Sequence, residues 1–142
     1  MTDAPDLQAG IVLDVDHLIG VPWVEGGRDF RRTGGTDCLG IVLHVVRDVL
    51  GIPAVDPWDE LADRWRDRRF DIGQALPSGW TPVGAPYHPG DVAVTDRGFH
   101  VSVYTGGGWF LSCSREVGVH RWAQKRPHTP IVGVWRWTGG QA

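Results

Sequence analysis

A chain of 142 residues has the length of one ordinary domain, and a single domain over 1–142 is expected. Its charged residues, 22% of the total, sum to a net charge of −3, so there is no basic excess to follow a phosphate backbone and nucleic acid is excluded as the expected partner. No run approaches the ~18 apolar residues of a membrane span. Met1-Thr2-Asp3-Ala4-Pro5-Asp6 lacks the positive charge of a secretion signal, and Asp14 and Asp16 interrupt the apolar residues behind it, so synthesis in the cytoplasm without a signal peptide is expected.

In chain order, the apolar residues of 11–19, closed by Gly20 and Pro22, predict a short helix. A long glycine-rich loop follows, from Val21 through Gly26, Gly27, Gly34 and Gly35. A helix is predicted from Asp37 to about Leu50, because Val42, Val45, Val46 and Val49 recur at helical spacing while His44, Arg47 and Asp48 fall on the other, solvent side. Asp37 occupies the N-cap position, and Gly51 with Pro53 ends the element. A second helix is predicted from Asp56, with Trp58, Leu61, Ala62 and Trp65 as its apolar stripe and a mixed-sign solvated face. Beyond Trp80 the period changes to two. Strands are predicted at 91–95, 100–105, 109–113, 118–122 and 131–137, with a hairpin turn at Gly106-Gly107-Gly108. Helices first and about five strands second define an α+β class, with N-terminal helices packed on a mainly antiparallel sheet.

Two positions carry chemistry. Cys38 lies on the first turn of its helix, where the unpaired N–H groups favour a thiolate and are expected to lower the pKa below the free value of about 8.5. Along the strand at 100–105, His100, Ser102 and Tyr104 share one face and Val101 and Val103 the other. Pairing across the glycine turn brings His100 near Ser112 or Ser114, where a polar group can hold the second ring nitrogen of a general base. Cys113 has the opposite parity to Ser112 and is assigned to core packing. Cys38 and Cys113 are read as free thiols, since one pair of cysteines in a chain of this length is no disulfide framework. No paired ligand spacing such as Cys-X-X-Cys is present, so no metal and no other cofactor is expected.

The order of these blocks resembles the NlpC-type cell-wall cysteine peptidases of the papain-like superfamily. It runs from Ile19-Gly20-Val21-Pro22-Trp23 and Gly26-Gly27-Arg28 through Gly35-Thr36-Asp37-Cys38-Leu39-Gly40 to Pro89-Gly90-Asp91 and His100-Val101-Ser102-Val103-Tyr104. Within the family it is most similar to the versions carried by tailed bacteriophages and phage-like gene transfer particles. The resemblance implies a papain-like fold, Cys38 as nucleophile and His100 as base, with no cofactor. The third family position, usually histidine, falls on Ser112, which accepts a hydrogen bond but carries no charge. Trp23 stands where the family has tyrosine. Trp23 and Asp37 are the candidates for substrate or oxyanion contacts, and His120 is a substitute third member.

The implied substrate is a peptidoglycan stem peptide, cut at an amide bond during cell-wall penetration. The implied partners are other tail-tip or hub proteins, and the implied mature location is the virion or particle tail tip. Two alternatives stand beside this. One is a structural tail component with weak or lost chemistry, which Ser112 and Trp23 favour; the other is a bacterial amidase toxin.

Overall fold

The computed structural model describes residues 10–54, 79–95 and 100–139. The helix predicted from Asp56 lies outside the described residues. After a 3₁₀ turn at Asp16–Leu18 come two α-helices, α1 (Phe30–Thr33) and α2 (Cys38–Leu43), and α2 continues into a π-helical stretch, His44–Val49. Six strands follow: β1 (Trp80–Pro82), β2 (Val92–Thr95), β3 (His100–Gly106), β4 (Trp109–Ser114), β5 (Gly118–Ala123) and β6 (Ile131–Trp137). They form one sheet in the order β1-β6-β2-β3-β4-β5, and its neighbouring pairs are antiparallel.

Alternation along these strands divides the core into two layers. Val92, Val94, Val101, Val103, Leu111, Cys113 and Val119 turn one face of the sheet toward Leu39, Ile41, Val42, Val45 and Val46 of the helix. Residues such as Leu39 and Ile41 are fully buried there, each contributing about 1.5–3 kcal/mol of transfer free energy. The opposite face carries Ala93, Tyr104, Phe110, Trp122 and Val134. Its centre is aromatic: Trp122 stacks on Phe110 with ring centroids 4.5 Å apart, and Tyr104 meets Phe110 edge-on at 5.1 Å.

The Pro89-Gly90-Asp91 block sets β2 against its neighbours. Tyr104 N–H donates to the Asp91 carbonyl at 2.8 Å, and Gly90 N–H donates to the Tyr104 carbonyl at 2.9 Å. The Asp91 side chain is 1% exposed and accepts from Arg136 Nε and Nη2 at 2.9 and 2.8 Å, with a third bond from His88 N–H at 2.8 Å. That bidentate pair raises the Arg136 pKa and ties β6 to the start of β2.

The helix predicted at 11–19 is only the 3₁₀ turn Asp16–Leu18, because valine and isoleucine with interrupting aspartates give no helical stripe. Three further features depart from the sequence expectation. β1 is an additional strand; three residues ending in proline give no alternation to read, and its pairing with β6 comes from tertiary contact. Within the predicted loop, Asp29 caps α1 by accepting from Arg31 N–H at 3.2 Å, and Gly34 closes it in the left-handed region. His44 does not face solvent. Its side chain is 9% exposed, lies edge-on to Phe30 at 5.0 Å, and bonds Asp48 through Nδ1 at 2.9 Å.

Candidate active site

The start of α2 is built by backbone packing. Asp37 Oδ1 accepts from Gly40 N–H at 2.7 Å, which is the N-cap bond. Its Oδ2 accepts from Arg28 Nη1 at 2.5 Å and from Gly26 N–H at 3.2 Å. One carboxylate therefore holds both the helix start and the preceding loop, which gives Asp37 a positioning role. Gly40 is required by close approach: a Cβ there would lie 2.2 Å from the Gly27 carbonyl oxygen and from Thr36 Oγ1. Trp23 enters through a parallel bridge to Thr36, with Val24 N–H donating to the Thr36 carbonyl at 3.0 Å. Its half-buried ring carries the Arg115 guanidinium 5.6 Å from its centroid, and Arg115 in turn pairs with Glu25.

Cys38 is buried in the core and meets the Val101 backbone of β3. The expectation of a depressed thiol pKa is overturned. Burial, with the Asp37 carboxylate as the second cause, pushes the Cys38 thiol up from 9.0 to about 12, against a hydrogen bond from the Val101 backbone and the Arg28 charge, both of which pull it down. Desolvation of the anion outweighs the Val101 hydrogen bond and the Arg28 charge. At rest Cys38 is a neutral thiol. Cys113 is also buried and raised to about 12, mainly by burial, and its Sγ donates to the Thr36 carbonyl at 3.3 Å. Both cysteines are free.

At the start of β3, next to Val101, His100 Nε2 lies 2.5 Å from Ser112 Oγ. Register explains the contact: Val103 pairs with Leu111, so Ser102 falls opposite Ser112 and His100 reaches Ser112 on the diagonal. The row continues beyond what the sequence indicated. Ser102 Oγ donates to Ser112 Oγ at 3.0 Å, and Trp122 Nε1 donates to Ser102 Oγ at 3.2 Å. The shared parity of His100 and Ser102 was a usable signal for Ser102. Trp122 had none, because a tryptophan on a strand reads simply as core. His120 pairs with Ser112 across β4 and β5, but its Nδ1 donates back to the Gly118 carbonyl at 2.9 Å.

Thus Cys38 is placed at Val101, the neighbour of His100, and His100 at Ser112, while Asp37 and Trp23 hold the backbone that leads into α2. Among the described residues no cluster of three His, Cys, Asp or Glu side chains could hold a metal ion, and no helix is long and apolar enough to cross a membrane.

No protein-family model and no curated protein matches the chain. Among solved structures it is similar to the crystal structure of the NlpC/p60 domain of the peptidoglycan hydrolase SagA, with a TM-score of 0.53 and 19% sequence identity over 81% of this chain and 87% of that one. The fold is that of an NlpC/p60 domain. At this identity the likeness is one of architecture.

Proposed function

We propose that this protein is a cysteine peptidase that hydrolyses an amide bond in peptidoglycan stem peptides, with Cys38 as nucleophile and His100 as base. The observation that carries the reading is the placement of the Cys38 thiol, on a helix start, against the Val101 backbone while the adjacent His100 has its Nε2 held by Ser112. The NlpC/p60 fold, shared with a domain of a peptidoglycan hydrolase, supports the substrate class.

In this mechanism the sulfur attacks the scissile carbonyl carbon as its proton passes to His100 Nδ1. The tetrahedral oxyanion is met by the Cys38 backbone N–H and the Trp23 indole N–H, a type of contact often worth about 3 kcal/mol of barrier. Collapse breaks the C–N bond, His100 returns the proton to the leaving amine, and a thioester remains on Cys38. Water, deprotonated by His100, then releases the acid and restores the thiol. The bond proposed is the family's usual one, between D-glutamate and diaminopimelate. The proposed setting is the tail tip of a phage or phage-like particle, among other tail-tip or hub proteins. It is supported by the Ile19-Gly20-Val21-Pro22, Gly26-Gly27-Arg28 and Gly35-Thr36-Asp37-Cys38 blocks.

A second reading, a structural tail component with weakened chemistry, is favoured by one observation: a thiol raised to about 12 beside a histidine whose partner is an uncharged hydroxyl. Digestion of purified sacculi separates the two. The peptidase releases stem-peptide fragments identifiable by mass spectrometry, and Cys38→Ala releases none. Folded wild-type protein that releases nothing establishes the structural reading.

A further inference from the structure

Four side chains across β3, β4 and β5 form a continuous row: Trp122 Nε1 to Ser102 Oγ at 3.2 Å, Ser102 Oγ to Ser112 Oγ at 3.0 Å, and Ser112 Oγ to His100 Nε2 at 2.5 Å. Ser102 and Ser112 are fully buried and Trp122 nearly so. An indole N–H can only donate, a hydroxyl donates once and accepts twice, and an imidazole nitrogen does either. The row has three gaps between polar atoms, and the indole and two hydroxyls bring three protons to fill them. Because the indole proton occupies the first gap, the Ser102 proton belongs in the second and the Ser112 proton in the third. A further proton on His100 Nε2 would overfill the last gap and leave a buried hydroxyl proton without an acceptor.

We infer that Trp122 and Ser102 are positioning residues that force Ser112 to donate to His100 Nε2, so that neutral His100 rests with its ring proton on Nδ1. The tautomer of an imidazole is set by the bond its other nitrogen makes, and here that bond is dictated from two strands away. Polarisation along the row strengthens each successive donor and reinforces the direction. The titratable groups around the row do not reverse it: Cys38, held at Val101, is a neutral thiol, and His120, opposite Ser112, has its Nδ1 committed to the Gly118 carbonyl. The consequence for catalysis rests on the peptidase reading. A base that takes the thiol proton at Nδ1 must first give up the proton there to solvent and take one up from solvent at Nε2, with Ser112 turning to accept it. The row thus acts as a latch that keeps the pair neutral until that exchange has occurred. An acceptor at position 112 would lack this latch.

The test is the tautomer itself, read from imidazole ¹⁵N shifts of the uniformly labelled full chain at a pH where His100 is neutral. It needs no substrate, so it stands or falls separately from the peptidase reading. Wild-type protein is expected to show Nδ1–H as the major form. Trp122→Phe removes only the N–H and keeps the stack on Phe110; Ser102→Ala removes the middle hydroxyl. In each, the Nδ1–H form is expected to become the minor one, with backbone amide shifts elsewhere reporting a retained fold. Nε2–H as the major form in the wild type, or an unchanged tautomer in both folded variants, overturns the inference.

Discussion

Alkylation of Cys38 offers a quantitative reading of its environment. The rise from 9.0 to about 12 disfavours the thiolate by about 4 kcal/mol, or about a thousandfold in thiolate fraction at pH 8. A more basic thiolate is also a better nucleophile, with a Brønsted slope of about 0.4–0.5, which recovers part of that loss and leaves alkylation about 30–60-fold slower than for an ordinary thiol before restricted access is counted. With iodoacetamide and quantification of the tryptic peptide 33–47, which holds Cys38 apart from Cys113, the rate is expected to climb about tenfold per pH unit through pH 8–11 without a plateau. Asp37→Asn is expected to lower the pH at which that climb begins, because it removes the second-largest cause of the raised value while keeping an oxygen for the helix cap. A plateau already reached at about pH 8.5, the value of a free thiol, would refute the reasoning. It would mean that the helix start and the neighbouring histidine hold a thiolate despite burial.

The same shift predicts a stability profile. A thiol whose folded pKa is raised contributes stability that is intact below its unfolded value and lost as pH rises toward the folded one. Denaturant unfolding should therefore show stability falling between pH 9 and pH 12 by up to about 1.4 kcal/mol per pH unit for each buried cysteine, and Cys38→Ala should halve that slope. Asp91→Ala, which removes the buried acceptor of the partly exposed Arg136 guanidinium and of His88 N–H, is expected to cost about 1–3 kcal/mol in the same assay; no measurable cost would contradict a tie between β2 and β6 through Asp91. Gly40→Ala forces a Cβ to 2.2 Å from the Gly27 carbonyl and Thr36 hydroxyl, so a cost of at least about 1–3 kcal/mol is expected. Its thermal midpoint should drop, whereas the same change at the uncrowded Gly84 should leave the midpoint nearly unchanged.

Local pattern carried much of this architecture. The cap at Asp37, the valine spacing behind Cys38 and the parity of His100 against Val101 each follow from periodicity and side-chain chemistry, and each positions a group in the site. The glycine turn narrowed the partner of His100 to Ser112 or Ser114, and the choice of Ser112 depends on the irregularity between Tyr104 and Gly106 and on a diagonal reach that the turn alone does not set. What local pattern could not carry depends on the third dimension. Burial decides the state of the Cys38 thiol, and burial is a property of the core that the helix and sheet build together. Trp122 has the sequence signature of any core tryptophan; only the crossing of three strands shows its N–H aimed at Ser102. His44 leaves solvent because Phe30 of α1 covers that side of its helix, a tertiary contact that helical spacing does not encode.

The central claim is that Cys38 is the nucleophile, and acid-quenched mixtures of the protein with soluble muropeptides test it most directly. Intact-mass and peptide mass spectrometry should find an acyl adduct on the peptide containing Cys38, lost on hydroxylamine treatment as a thioester is, and absent from Cys38→Ala. Undiminished muropeptide cleavage by Cys38→Ala, with no adduct on the wild type, would contradict the account.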